Sequence, residues 1–233
     1  MDEIYLDNGY IWSFSAGVTQ ALENKAILNK TAFYPQSGGQ PSDTGILEHD
    51  SEIFQVLGVE KGEDGIVHIL DRPGLKPGDM VSGKIDGDRR YRFMRSHTAC
   101  HILSAVIFQE TGAKITGNQI EQSRSRVDFS LESFDKSRMM EYVEKANQIV
   151  SDRRPVSTRI MPREEALAMP DLLRLAMAVP DRDTIRVVEI EGIDGQACGG
   201  THVKNTAEVG RIKMLKAENK GKANRRIYFS LED

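Results

Sequence analysis

The chain has 233 residues, 39% of them hydrophobic and 28% charged, and a formal net charge of −4. That composition excludes a disordered or collagen-like chain, and no run reaches the roughly 18 consecutive apolar residues of a membrane span. The acidic N-terminus, MDEIYLDNGYIWSF, lacks the basic n-region of a secretory signal. A cytoplasmic protein is therefore expected, a monomer without an obligate protein partner, with Cys100 and Cys198 reduced or metal-bound.

Residues 1–87 read as β-rich. YLDNGYIWSFSAGV, KAILNKTAFYP, TGILEHDSEIFQVLGVEKGEDGIVHILDR and DMVSGKIDGDRR alternate apolar and polar positions over short runs. DNG, SGGQPSDTG, GEDG and RPGLKPGD punctuate them as turns, which predicts a small barrel or sandwich. Near Arg89 the period changes. RRYRFMRSHTACHILSAVIFQETG is helical and ends on Gly112 as a C-cap. Two strands are expected in AKITGNQI and SRSRVDFSL, then a helix from Ser133 to the residues before Pro155. PVSTRIMP reads as a strand, REEALAM as a short helix, and DTIRVVEIEGI as a β-branched strand leading into DGQACGGTHV. The chain closes with two strands around a Lys/Gly turn. The fold class is α+β, a small N-terminal β-barrel over 1–87 followed by an α+β domain over 88–233.

His97 and His101 stand four residues apart in the predicted helix, so both project from one face. Cys198 and His202 repeat that spacing in a Gly-rich loop. Two distant N/S pairs suit a tetrahedral cation, and imidazole with thiolate favours zinc over magnesium or calcium. Cys100 is a rival to His101, but adjacent helical residues point about 100° apart and cannot both serve one ion easily; a buried thiol is the plainer reading. His49 and His68 read as ordinary residues. Four protein ligands would close the site and three plus water would leave it open, and spacing does not choose. Gly199 and Gly200 permit either a tight turn or close approach of a ligand. Thr98 stands where the Glu of H-E-x-x-H would be, which argues against a metalloprotease.

With their surroundings these residues resemble the editing domain of alanyl-tRNA synthetase and its free-standing relatives, the AlaX proteins of medium length. The matching stretches are R-S-H-T-A-C-H-I-L-S-A at 95–105 and Q-A-C-G-G-T-H-V at 196–203. T-A-F-Y-P-Q-S-G-G-Q-P-S-D-T-G at 31–45 is similar to that family's glycine-rich motif, and R-V-D-F at 126–129 and G-K-A-N-R-R-I at 221–227 also fit. The two ligand pairs alone are shared with threonyl-tRNA synthetase editing domains; the glycine-rich stretch points to the alanine branch.

The resemblance implies a translation-protein-like barrel, an editing domain, one Zn2+ and hydrolysis of seryl-tRNA(Ala), with glycyl-tRNA(Ala) as a second substrate and alanyl-tRNA(Ala) spared. The length leaves no room for an aminoacylation core, so a trans-acting editor is expected. Thr31 becomes the candidate reader of the serine hydroxyl, against its plain role as a β-branched strand residue. Gly38, Gly39 and Gln40 are candidates for contact with the terminal nucleotide, or simply a hairpin turn. Gln196 is a candidate for orienting water or a ligand. Lys213, Lys216, Lys220, Lys222, Arg225 and Arg226 lie in a basic run opposed in sequence only by Glu218, and are candidate contacts to tRNA phosphates. Two other readings stay open: a threonyl-type editor, and a zinc-stabilised RNA-binding protein without catalysis.

Overall fold

A computed structural model describes residues 1–132, 135–169, 172 and 183–232. The chain divides into two compact units, Met1–Phe93 and Met94–Asp233. The division falls inside the helix that begins at Gly87, a little beyond the change of sequence period.

The first unit holds β1 (Asp2–Glu3), β2 (Ser13–Leu22), β3 (Lys25–Leu28), β4 (Lys30–Thr31), β5 (Gly45–His49), β6 (Glu52–Gly62), β7 (Gly65–Leu70) and β8 (Met80–Ile85). β1 and β4 pair in parallel. The other six close into a barrel in the order β2-β3-β7-β6-β5-β8. Closure follows from β2, which pairs with β8 through Ser13–Gly17 and with β3 beyond Val18, bending at an irregularity between Val18 and Gln20. Inward positions alternate as a pleated strand requires. Ile66, His68 and Leu70 are buried on β7, as are Val81, Gly83 and Ile85 on β8. Leu28, Phe33, Leu47, Phe54 and Val59 fill the interior. Before Ser13, where strand-like alternation was expected from Tyr5, the chain makes turns instead.

One buried ion pair fixes the glycine-rich segment. Arg90 and Asp43 are both fully buried. The Arg90 guanidinium donates to Asp43 from Nε at 2.9 Å, to the Gly9 carbonyl at 2.9 Å and to the Ala32 carbonyl at 2.6 Å. Asp43 Oδ2 also accepts the Tyr34 N–H at 2.6 Å. Every partner that a buried guanidinium and carboxylate need is thus supplied from within the barrel unit.

The helix α1 runs Gly87–Thr111. Asp86 opens it, accepting the Arg89 N–H on its side chain, and Gly112 closes it at φ 71° with its N–H on the Phe108 carbonyl. Residues 96–107 are all buried, so α1 is core on every side. β9 (Ile115–Ile120) and β10 (Ser125–Phe129) follow, then α2 (Lys136–Ser151). Asp135 is the N-cap of α2, its carboxylate accepting the Ser137 N–H. The start expected at Ser133 lies outside the described residues. β11 (Val156–Pro162), α3 (Arg163–Leu167), β12 (Thr184–Ile190), β13 (Asp194–Ala197), β14 (Arg211–Asn219) and β15 (Arg225–Glu232) complete the second unit. They form two antiparallel sheets, β14-β15-β10-β9 and β11-β12-β13. α2 turns Met139, Tyr142, Val143, Ala146 and Ile149 inward, and Asn147 ties it to β14 through the N–H and carbonyl of Ile212 at 2.8 and 3.0 Å. The fold is α+β with a closed barrel, as the sequence pattern predicts. Among the described residues no helix is long and apolar enough to cross a membrane.

Candidate metal centre

α1 carries a polar stripe through a buried helix. His97, His101 and Ser104 recur at helical spacing on one face, 5%, 5% and 2% exposed. Such groups are costly in a core unless something satisfies them. Facing them are Cys198 and His202, in the loop after β13. One donor atom from each of His97, His101, Cys198 and His202 lies within 4.8 Å of all the others. Cys198 Sγ is 3.6 Å from His97 Nε2 and 3.4 Å from His202 Nε2. A tetrahedral ion with bonds of about 2.0–2.1 Å to nitrogen and about 2.3 Å to sulfur sets N···S edges of roughly 3.5 Å. The four side chains therefore fit a metal ion on spacing and on donor chemistry.

Neighbouring groups hold the donors in place. Thr98 Oγ1 stands 3.1 Å from Nδ1 of His202, leaving Nε2 to face the sulfur, and Thr98 also accepts the Val203 N–H. Arg186 Nη1 donates to the carbonyls of Cys198 and Gly200 at 2.8 and 2.9 Å, clamping the loop. The Gly200 N–H points at Cys198 Sγ from 3.4 Å. A Cβ at Gly199 would meet no atom within 4 Å, and neither Gly199 nor Gly200 has positive φ. The turn does not demand glycine at 199, so its bareness leaves room beside the sulfur.

Electrostatics separates the two thiols. Burial pushes the Cys198 thiol up, but His97, His202 and the bond from His101 outweigh it and hold the thiol well below its ordinary value. For Cys100, burial and then the nearby Cys198 push the thiol far up. It remains a protonated core thiol outside the donor cluster. Burial, with His97 adding to it, keeps His202 neutral. At His101, burial lowers the pKa but Asp194 and Cys198 raise it to a net value of about 10. A proton thus occupies His101 where a cation would displace it.

Residues 185–228 match the family described as the threonyl and alanyl tRNA synthetase second additional domain, and residues 11–89 match class II (A) tRNA synthetases. The alanyl-tRNA editing protein AlaX-M of Methanosarcina barkeri is 47% identical over 241 residues, covering 100% of this chain and 99% of its own length. The protein of the same name from Saccharolobus solfataricus is 44% identical, covering 99% of each chain. The chain belongs to the AlaX-M family. An alanine–tRNA ligase from Ignicoccus hospitalis is also 38% identical over 215 residues, which make up 91% of this chain but 24% of the ligase. The chain is thus similar along nearly its whole length to one part of a much larger enzyme.

Within this family member, Thr31 is fully buried in the barrel unit. Its Oγ1 lies 2.8 Å from His68 Nε2 and accepts the Phe33 N–H at 3.1 Å. His68 Nδ1 stands 3.2 Å from the Ala26 carbonyl, which only accepts, so the imidazole proton sits on Nδ1. Nε2 must then accept the Thr31 proton, and one lone pair of Oγ1 is left over. Burial lowers the His68 pKa to about 4, which keeps the ring neutral. His68, expected to be ordinary, sets the polarity of the Thr31 hydroxyl. Gly38 and Gly39, at φ 56° and 81°, form the two central residues of a tight hairpin closed by Ser37 and Gln40. Gln40 is fully buried, with its N–H on the Ser37 carbonyl.

The basic run is less free than its sequence suggests. Arg225 is buried, and its Nη1 donates to Asn219 Oδ1 and to the Gly221 and Asn224 carbonyls at 2.9, 2.7 and 3.0 Å. It holds the turn of the β14–β15 hairpin. Arg226 grips Asp128 with Nε and Nη2 at 2.6 and 2.8 Å. Lys213 pairs with Glu232 at 2.9 Å, and Lys216 and Lys220 share Glu218. Glu218 is therefore not the only opposing acid, because strand pairing sets Asp128 opposite Arg226 and Glu232 opposite Arg211, within reach of Lys213. Lys222 is exposed and has no ion-pair partner among the described residues.

Gln196 is 2% exposed, and its Nε2 donates to Asp194 Oδ2 at 2.8 Å and to Ser104 Oγ at 3.3 Å. Asp194 is absent from the sequence-based candidates. Period-two alternation along D-G-Q-A-C, which puts Asp194, Gln196 and Cys198 on one side of the strand, is the signal that would have found it.

Proposed function

We propose that this chain hydrolyses the ester joining a wrong amino acid to tRNA(Ala), with seryl-tRNA(Ala) the main substrate, glycyl-tRNA(Ala) a second one and alanyl-tRNA(Ala) spared. The observation that carries the reading is the convergence of His97, His101, Cys198 and His202 within 4.8 Å of one another in a chain whose full-length relatives are named alanyl-tRNA editing proteins. Zinc is the proposed ion, since three imidazoles and one thiolate at these distances suit it better than the oxygen-seeking divalent ions.

When bound, zinc supplies Lewis acidity toward the ester carbonyl or a water. The chain's own residues supply selectivity. An apolar pocket rejects an added hydroxyl only about a hundredfold, whereas a site that needs the hydroxyl leaves a buried polar atom unpaired when alanine enters. Thr31 is the proposed reader, and its polarity follows from His68: with its own proton on Nε2, Oγ1 can only accept, so it calls for a substrate that donates. Serine has that donor and alanine does not. Gly38, Gly39 and Gln40 are proposed to meet the terminal nucleotide, with the turn's bare backbone as the means. Contact with tRNA phosphates is assigned to Lys222 first and to Lys213, Lys216, Lys220 and Arg226 as partly neutralised neighbours, while Arg225 shapes the hairpin that presents them. A cytoplasmic setting goes with this substrate.

The test is incubation of the purified chain with Ser-, Gly- and Ala-tRNA(Ala) and with Ser-tRNA(Thr), with and without chelator. Serine should leave tRNA(Ala) fastest and alanine slowest, with chelator suppressing both. Preference for Ser-tRNA(Thr) would make it a threonyl-type editor. Tight tRNA binding with no release would make it a non-catalytic binder.

A further inference from the structure

A divalent cation held by one thiolate and three neutral imidazoles leaves one positive charge uncompensated in a buried site. Asp194, whose side chain is fully buried, stands beside that site. Its Oδ2 lies 3.4 Å from His101 Nδ1, within ion-pair reach but short of a hydrogen bond, and His101 Nδ1 has no hydrogen-bond partner among the described residues. The same Oδ2 accepts the Gln196 amide at 2.8 Å, and that amide also reaches Ser104 Oγ at 3.3 Å. Ser104 lies one helical turn beyond His101 on the same face of α1. A chain of buried polar groups therefore runs from Ser104 through Gln196 and Asp194 to the outer nitrogen of His101.

We infer that Asp194 is a positioning residue for the metal: its carboxylate accepts a hydrogen bond from the Nδ1–H of His101, which leaves Nε2 for the ion, and its charge balances the residual charge of the site, while Gln196 and Ser104 hold the carboxylate in place. The inference rests on the metal reading of the four donors. It also gives Gln196 work other than orienting water, because its amide N–H groups are directed at Asp194 and Ser104. His202 is held by the neutral Thr98 hydroxyl, whereas Asp194 brings a carboxylate to His101. Outer partners of this kind change metal affinity by about 10- to 100-fold when removed.

The experiment is competition for Zn2+ and Co2+ between a chelator and the full chain, as wild type, Asp194→Asn, Asp194→Glu and Gln196→Met. Asp194→Asn should weaken both ions by about 10- to 100-fold and shift the visible bands of the Co2+ form. Asp194→Glu should recover part of the loss, and Gln196→Met should give a smaller loss in the same direction. If Asp194→Asn does not fold, Gln196→Met and Asp194→Glu carry the test by the same readout. Wild-type affinity and an unmoved Co2+ spectrum in the folded variants would overturn the inference, even with a lower melting temperature, for then Asp194 only braces the β12–β13 turn. A wild-type chain that takes up neither ion would instead sink the metal reading itself.

Discussion

Both units bury polar and charged side chains, and they treat them differently. In the barrel unit, Arg90 and Asp43 satisfy each other and three backbone groups, and Thr31 donates to His68, whose own ring proton goes to the Ala26 carbonyl. In the second unit, one potential ligand atom from each of three imidazoles and a cysteine lies within 4.8 Å of the others, and His101 Nδ1 is left without a hydrogen bond among the described residues. A buried polar cluster that closes on itself is architecture. One whose acceptors converge, with nothing to donate to all of them, is a site prepared for a cation.

The sharpest way to break that contrast is to remove a converging donor. Cys198→Ala should abolish stoichiometric metal uptake and lower the rate of serine release by roughly a thousandfold, the scale of several kcal/mol of Lewis-acid stabilisation; metal analysis and single-turnover deacylation check it. Next in size is the closed cluster. Arg90→Met leaves Asp43 buried without its partner and should destabilise the barrel unit by about 3–5 kcal/mol, with metal content unchanged, as denaturant unfolding and metal analysis will show. An Arg90 variant that lost metal but not stability would erase the distinction.

The intermediate case is Thr31, fully buried, with two hydrogen bonds made and one oxygen lone pair left over. Thr31→Val should lower the serine-over-alanine ratio of kcat/KM by about tenfold to a hundredfold, since the lost hydrogen bond is worth about 1–3 kcal/mol. Unchanged selectivity would return Thr31 to the architectural class. The smallest effect belongs to the surface. Lys222→Glu should weaken tRNA binding modestly and reduce the salt slope by about one, while Arg225→Ala should instead lower the stability of the hairpin.

The legible part of the fold was periodicity. Alternation marked the barrel strands, and the helical period from Arg89 to the Gly112 C-cap marked α1, whose first turn and Asp86 cap were not read. The cluster that could hold a metal was legible for the same reason, because each pair of its donors is a local spacing on one element. Long-range partners were not. Nothing near Arg90 announces Asp43, which lies 47 positions away, and counting charges along β14 and β15 missed that pairing brings Asp128 and Glu232 to the basic side chains. Arg225 was read as a phosphate contact because its actual acceptors, backbone carbonyls and the neutral Asn219 amide, carry no charge to be counted in the sequence. Asp194 lies between these cases, since its alternation with Gln196 and Cys198 is local but its meaning depends on a helix from another part of the chain.

His97 and Cys198 are 101 positions apart, yet each pair of donors sits on a rigid support, a buried helix on one side and a loop clamped by Arg186 on the other. An ion joining them acts as a cross-link closing a loop of that length, and a covalent bridge over such a loop restricts the unfolded chain by an amount worth about 4–5 kcal/mol. Stripping the ion should therefore lower the melting temperature of the second unit even if no catalytic step is measured.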